Sequence, residues 1–173
     1  DFDMNYFLST VRNAVSLGKH NWSEDFIRKY GIKLEPRHKA FAESYALGAL
    51  AYGKKEYGKA LEHLSKINIE YSARKQQIKN LMIVIYCETG AYENALNLID
   101  TSKHSLKHDK QIPEERKKTF SKFLVFAGKY IKLELDPDDF KANSLKQKII
   151  VSGHFANREW LLKKIADLTI HQQ

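Results

Sequence analysis

Three aromatic residues, Trp22, Tyr57 and Tyr92, stand 35 residues apart in turn, each near the start of a short apolar-periodic segment. The same step links Val11, Ala46 and Leu81; Ala14, Ala49 and Val84; Val15, Leu50 and Ile85; and Phe26, Leu61 and Leu96. Every column is small or apolar. A fixed step of this length marks a stacked repeat fold, because one helix pair cannot bury its apolar face alone and neighbouring pairs must cover it.

The periodicity inside each repeat is helical. Phe7, Leu8, Val11, Ala14 and Val15 fall on one face of a first helix that stops at Gly18. Ser23 reads as the cap of a second helix, with Glu24 and Asp25 in its first turn, Phe26, Ile27 and Tyr30 inward and Gly31 at its end. Pro36 reads as linker. A long helix follows over about 37–53, carrying Phe41, Tyr45, Leu47, Leu50 and Tyr52. Tyr57 opens a short one with Ala60, Leu61, Leu64 and Ile67 inward. The long element repeats over 71–89 and the short one from Tyr92, with Gly90 between them.

The polar, lysine-rich run from Thr101 to Ile112 predicts a loop. Pro113 suits a first helical position, followed by Glu114 and Glu115. The helix beyond carries Phe120, Phe123, Leu124, Ala127, Ile131 and Leu135, and Asp136-Pro137 ends it. Asp138 or Asp139 caps a helix containing Phe140, Leu145, Ile149 and Ile150 that stops at Gly153. Asn157 caps a last one with Trp160, Leu161, Ile165 and Leu168 as its stripe. No run reads as a strand with a partner, so the class is all-α.

The unit Ser44–Ser72 resembles the tetratricopeptide repeat (TPR), a helix–turn–helix motif of about 34 residues. Leu47-Gly48 stands where that motif has its Leu-Gly pair, Ala60 at the small position where the helices cross, Leu64 in place of the Phe, and Tyr57 three before that Ala. The following unit has Met82 and Ile83 at the Leu-Gly pair, then Tyr86, Gly90, Tyr92 and Ala95 in place. Ser44 and Lys79 occupy the Trp position, no Pro closes either unit, and the unit around Trp22 has Asp25 at the crossing. The resemblance implies a right-handed α–α superhelix of stacked antiparallel helix pairs over 1–173, with units near 1–34, 37–70 and 71–102. Divergent helices over 113–170 would close the stack as C-terminal caps, the chain being part of a longer array. Trp22 leading a helix that ends Phe26-Ile27-x-x-Tyr30, and the run Glu159-Trp160-Leu161-Leu162-x-Lys164-Ile165, are also similar to helical-repeat proteins of bacteria. Those form long cytoplasmic arrays, which implies a cytoplasmic place but no activity.

Function is read mostly by exclusion. Cys87 is the sole cysteine of 173 residues, which rules out an intramolecular disulfide and a thiolate metal cluster within one chain. It sits on an apolar helix face and reads as a structural thiol. No apolar run reaches the ~18 residues that span a bilayer. No phosphate loop, paired-carboxylate motif or serine elbow is present. The reading is therefore a non-catalytic protein–protein interaction scaffold with no cofactor and no metal. His104 and His108 stand at i, i+4, but Lys103, Lys107 and Lys110 around them repel a cation.

Two surfaces are candidates for a partner. In TPR proteins the first helix of each pair lines the concave face. Carried onto this chain, those positions are Ala42, Tyr45, Ala49 and Tyr52, then Gln77, Asn80, Val84 and Cys87. Of these, Tyr45, Ala49, Tyr52, Asn80 and Val84 are the groove candidates. They either receive a partner's peptide or helix or pack against the chain's own C-terminal helices. The family's carboxylate clamp of Lys, Arg and Asn finds only Asn80 here. The second surface is basic. The chain carries a net charge of +8, and residues 103–132 hold nine cations against three anions, a balance of +6. Lys107, Lys110, Arg116, Lys117, Lys118 and Lys122, with Phe120, Phe123 and Phe126 interleaved, suit nucleic acid or form a solvated helix face with the phenylalanines inward.

Overall fold

Three turns in this chain share one backbone conformation, and they set the architecture. In the computed structural model, which describes residues 2–67 and 72–170, Gly18, Lys55 and Gly90 have φ of 71°, 61° and 71°. Each turn makes the same pair of closing bonds. Gly18 N–H donates to Val15 O and Lys19 N–H to Ala14 O. Lys55 and Glu56 donate to Tyr52 and Ala51, and Gly90 and Ala91 to Cys87 and Tyr86. This is the Schellman ending, which satisfies the last carbonyls of a helix and reverses the chain within three residues. Glycine suits the left-handed position, as expected at Gly18 and Gly90. Lys55 occupies it without that advantage.

Six helices flank these turns: α1 Met4–Ser16 and α2 His20–Gly31, α3 Pro36–Gly53 and α4 Tyr57–Ser65, α5 Ser72–Glu88 and α6 Tyr92–His108. Three more follow: α7 Glu114–Leu135, α8 Asp139–Val151 and α9 Arg158–Ile170. The described residues hold no strand, only an isolated bridge between Phe2 and Leu34. The all-α class expected from the periodicity is what the chain adopts. Tyr71 and His171 lie outside the described residues.

The turn positions correct the register of the first repeat. Gly18 to Lys55 is 37 residues and Lys55 to Gly90 is 35, so the step of 35 holds only between the second and third helix pairs. Aligned on the turns, the small crossing position is Ser23, not Asp25. Ser23, Ala60 and Ala95 are all fully buried. Ser23 does not cap α2 either. That helix begins at His20, and the Ser23 hydroxyl donates back to Lys19 O at 2.8 Å. Trp22 is consequently 49% exposed and stacks on Phe26.

Three other expectations change. Pro36 is the first residue of α3 rather than linker, where its missing N–H costs nothing. Pro113 is the cap before α7, which starts at Glu114. The segment from Thr101 is helical as far as His108. Ser102 and Leu106 are buried and continue the stripe of Ala95 and Ile99, so a polar-looking surface hid a regular buried face.

The packing divides the chain into two compact units, Asp1–Tyr71 and Ser72–Gln173. In the first, α3 is the hub and packs against α1, α2 and α4. Its buried residues are mostly small (Ala42, Ala46, Gly48, Ala49 and Ala51, with Tyr45 and Leu50). A Cβ placed on Gly48 would come within 2.9 Å of the Leu64 side chain, so α3 and α4 approach as closely as they do because glycine stands there. In the second unit α7 is the hub, against α5, α6, α8 and α9. It buries Phe123, Leu124, Ala127, Tyr130, Ile131 and Leu133. Burying one such large side chain is worth roughly 1.5–3 kcal/mol.

Candidate functional site

The groove candidates are mostly core. Tyr45, Ala49, Asn80 and Val84 are buried and Tyr52 is half-buried, its ring 6.1 Å from that of Tyr57. Asn80 is 2% exposed and accepts from Gln76 Nε2 at 2.8 Å. In this conformation these residues offer a partner little surface. Within the second unit, the chain's own last helix occupies part of the neighbouring face. Trp160 of α9 donates its indole N–H to Glu88 at 2.7 Å, Lys164 pairs with the other Glu88 oxygen at 2.7 Å, and the Trp160 ring lies edge-on to Phe123 and Tyr130. Lys164 of α9 is thus turned toward Glu88, while Lys163 and Asp167 are exposed.

Beside this lock lies a buried polar cluster. Tyr130 donates to Glu134. Burial, then the hydrogen bond and charge of Glu134, push the Tyr130 phenol upward, and burial with Glu134 raises Tyr92. Burial pushes the Cys87 thiol up to about 12, with Glu88 adding to it. Such a thiol stays protonated and is a poor nucleophile, which agrees with a structural role.

The basic stretch is partly engaged within its own chain. Lys117 pairs with Glu114 at 2.8 Å, Lys118 with Glu115 at 3.2 Å, and Lys122 donates to Ser152 O at 2.6 Å. Arg116 lies over the Phe120 ring. Lys107, Lys110 and Arg116 are exposed. Phe123 is fully buried, Phe120 and Phe126 half-buried, and Phe126 packs on Phe155. The His104 and His108 rings lie 4.6 Å apart, tilted by 46°, and the described residues include no group of three or more metal-type ligands.

A different site emerges where α7 meets α8. Asp136 closes α7, and Asp138 caps α8 by accepting from Lys141 N–H at 2.9 Å. That bond, and the Lys141 ammonium 3.0 Å from the other oxygen, hold the Asp138 carboxyl below its usual range. The sharp reversal brings Lys129, Lys132, Leu133 and Asp136 opposite Phe140, Lys141, Ser144, Leu145 and Lys148. They line a cavity of about 450 Å³. Leu133 and Leu145 are buried and form its apolar floor, while Phe140 is 84% exposed at its wall. Four ammonium groups face one carboxylate in the lining.

Sequence reasoning missed this cleft. It counted Lys129 and Lys132 with the preceding stretch and grouped Phe140 with the apolar residues of its helix. The available signal was Phe140-Lys141 with Lys148 two helical turns on, just past a Pro turn. Set against protein-family models, curated proteins and solved structures, the chain matches none of them. No helix among the described residues is long and apolar enough to cross a membrane.

Proposed function

We propose that this chain is a non-catalytic helical-repeat scaffold that holds a segment of a protein partner in the cytoplasm, and that its helix pairs stack as a right-handed TPR-like superhelix. Support for a repeated helix pair comes from the three matching Schellman turns, each with a small buried residue where the two helices of the pair cross. The observation that carries the binding reading is the α7–α8 cleft, which combines an apolar floor, an exposed aromatic wall and a charged rim. Binding sites are built this way, with apolar lining and a few placed polar groups. Lys141 there is held above its ordinary value by the hydrogen bond to Asp138, so it stays an ammonium engaged by that carboxylate.

The test is a photo-cross-linking amino acid in place of Phe140, irradiated in source-cell lysate with and without nuclease. The scaffold reading expects one defined protein adduct in both samples, lost when Lys148 is also changed to Glu. Adducts to nucleic acid that disappear with nuclease would transfer the function to the basic surface spanning Lys107 to Lys132, and would overturn the reading.

A further inference from the structure

We propose that the α7–α8 cleft selects an acidic segment with an apolar anchor: one aliphatic or aromatic side chain packs on the exposed Phe140 ring above the Leu133 and Leu145 floor, and flanking Asp or Glu carboxylates meet Lys129, Lys132 and Lys148. The proposal rests on the scaffold reading and specifies its partner.

Charge complementarity decides the sign of the occupant. The lining carries Lys129, Lys132, Lys141 and Lys148 against Asp136 alone. Lys141 is engaged by Asp138, whereas Lys129, Lys132 and Lys148 are exposed and make no ion pair among the described residues. Lys129 and Lys132 lie one turn apart on α7, and Lys148 stands two turns beyond Phe140 on α8, so the free ammoniums flank the apolar floor. An occupant matching them has an apolar centre with negative charge on either side.

The apolar surroundings decide against nucleic acid. Single strands are held by successive exposed aromatics along a continuous basic track. Phe140 is the one strongly exposed ring in the lining, and the other exposed apolar side chains of these two helices include Leu135 and Val151, which are aliphatic. Two lysines that would extend a phosphate track, Lys117 and Lys122, are engaged by Glu114 and Ser152 O. The cleft contains no arginine to grip a phosphate with a paired set of N–H groups.

The experiment is fluorescence anisotropy on the full chain with three labelled probes. They are a short helical peptide with Leu at i, i+4 among Asp and Glu, the same peptide with each acid replaced by its amide, and an oligothymidylate of matched length. The acidic peptide is expected to bind about tenfold more tightly than the amide version, and to weaken steeply with salt. Lys148→Glu and Phe140→Ala, both at exposed side chains that leave the core intact, are each expected to weaken it about fivefold. Lys59→Glu in α4, an exposed lysine far from the cleft in sequence, is expected to change it less than about twofold. Equal binding of acidic and amide peptides, or indifference to both cleft variants, overturns the proposal. If that happens while the Phe140 cross-linker still captures a protein, the scaffold reading survives and only the acidic specificity falls. Tighter binding of the oligothymidylate, weakened by the same variants, removes both.

Discussion

The two hub helices solve the same packing problem with opposite materials. Helix α3 brings its neighbours close by being small: Ala42, Ala46, Gly48, Ala49 and Ala51 let Leu64 and Ala60 of α4 approach its backbone. Helix α7 fills space by being large, with Phe123, Tyr130 and Ile131 fully inside, and it tolerates polar groups by bonding them to one another. The first unit's shifted acids, Glu24 and Glu62, lie on the surface beside Lys54 and Lys66. The second buries a phenol and a thiol. The difference teaches where each unit is fragile. A small-residue hub fails when volume is added, and a large-residue hub fails when volume is removed or buried groups are made to ionise.

The sharpest way to break that contrast is Phe123→Ala. Phe123 is fully buried in the large-residue hub, and the expected cost is about 3–5 kcal/mol in denaturant unfolding. A cost below about 1 kcal/mol would mean that the α7 interface collapses freely and is not set by size. Adding volume should discriminate between the hubs. Gly48→Val is expected to lose about 1–3 kcal/mol because the new carbons meet Leu64. Gly128→Ala in mid-α7, with nothing within 4 Å of its Cβ position, should gain about 0.5–1 kcal/mol. Equal signs for the two glycines would remove the distinction.

Alkaline pH should act on the second unit. The unfolded Cys87 thiol ionises near 9, while the folded one is held at about 12. Stability from this group is therefore complete below about pH 9 and falls as pH rises toward 12, by at most about 1.4 kcal/mol per pH unit. Tyr92 and Tyr130 shift in the same direction. Hydrogen exchange of α5–α7 against α1–α4 between pH 8 and 10 checks it; equal loss in both would place the sensitivity elsewhere. A last substitution sharpens the comparison of the turns. Lys55→Gly should stabilise the α3–α4 turn by about 1 kcal/mol, since a lysine there holds φ of 61°. A thermal melt that shifts downward would contradict that account.

Much of the fold was legible because helices announce themselves locally. Apolar residues at helical spacing located all nine helices among the described residues, and Gly18, Gly90 and Gly153 stop them in the left-handed conformation. The errors share a cause. Small and apolar columns look alike after a shift of two residues, so Trp22 appeared to align with Tyr57 when the turns align Ser23 with Ala60. Ser102 and Leu106 were obscured by the lysines around them. The site was less legible. Tyr45, Asn80 and Val84 were chosen by the repeat's logic, yet burial depends on what covers a helix face, which periodicity does not record.

By itself the sequence determined the helical class, a set of repeated helix pairs and an excess of positive charge, because these follow from side-chain period, glycine positions and composition. Only the tertiary structure decided which residues meet. It turned Trp160 and Lys164 onto Glu88, separated the small-residue hub from the large-residue one, and brought Lys129, Lys132 and Lys148 around Leu133, Phe140 and Leu145. The physical reason is that a helix fixes which residues share a face, whereas the turn angle after Asp136-Pro137 and the packing of α8 on α7 fix which faces confront each other. A cleft exists only once they do.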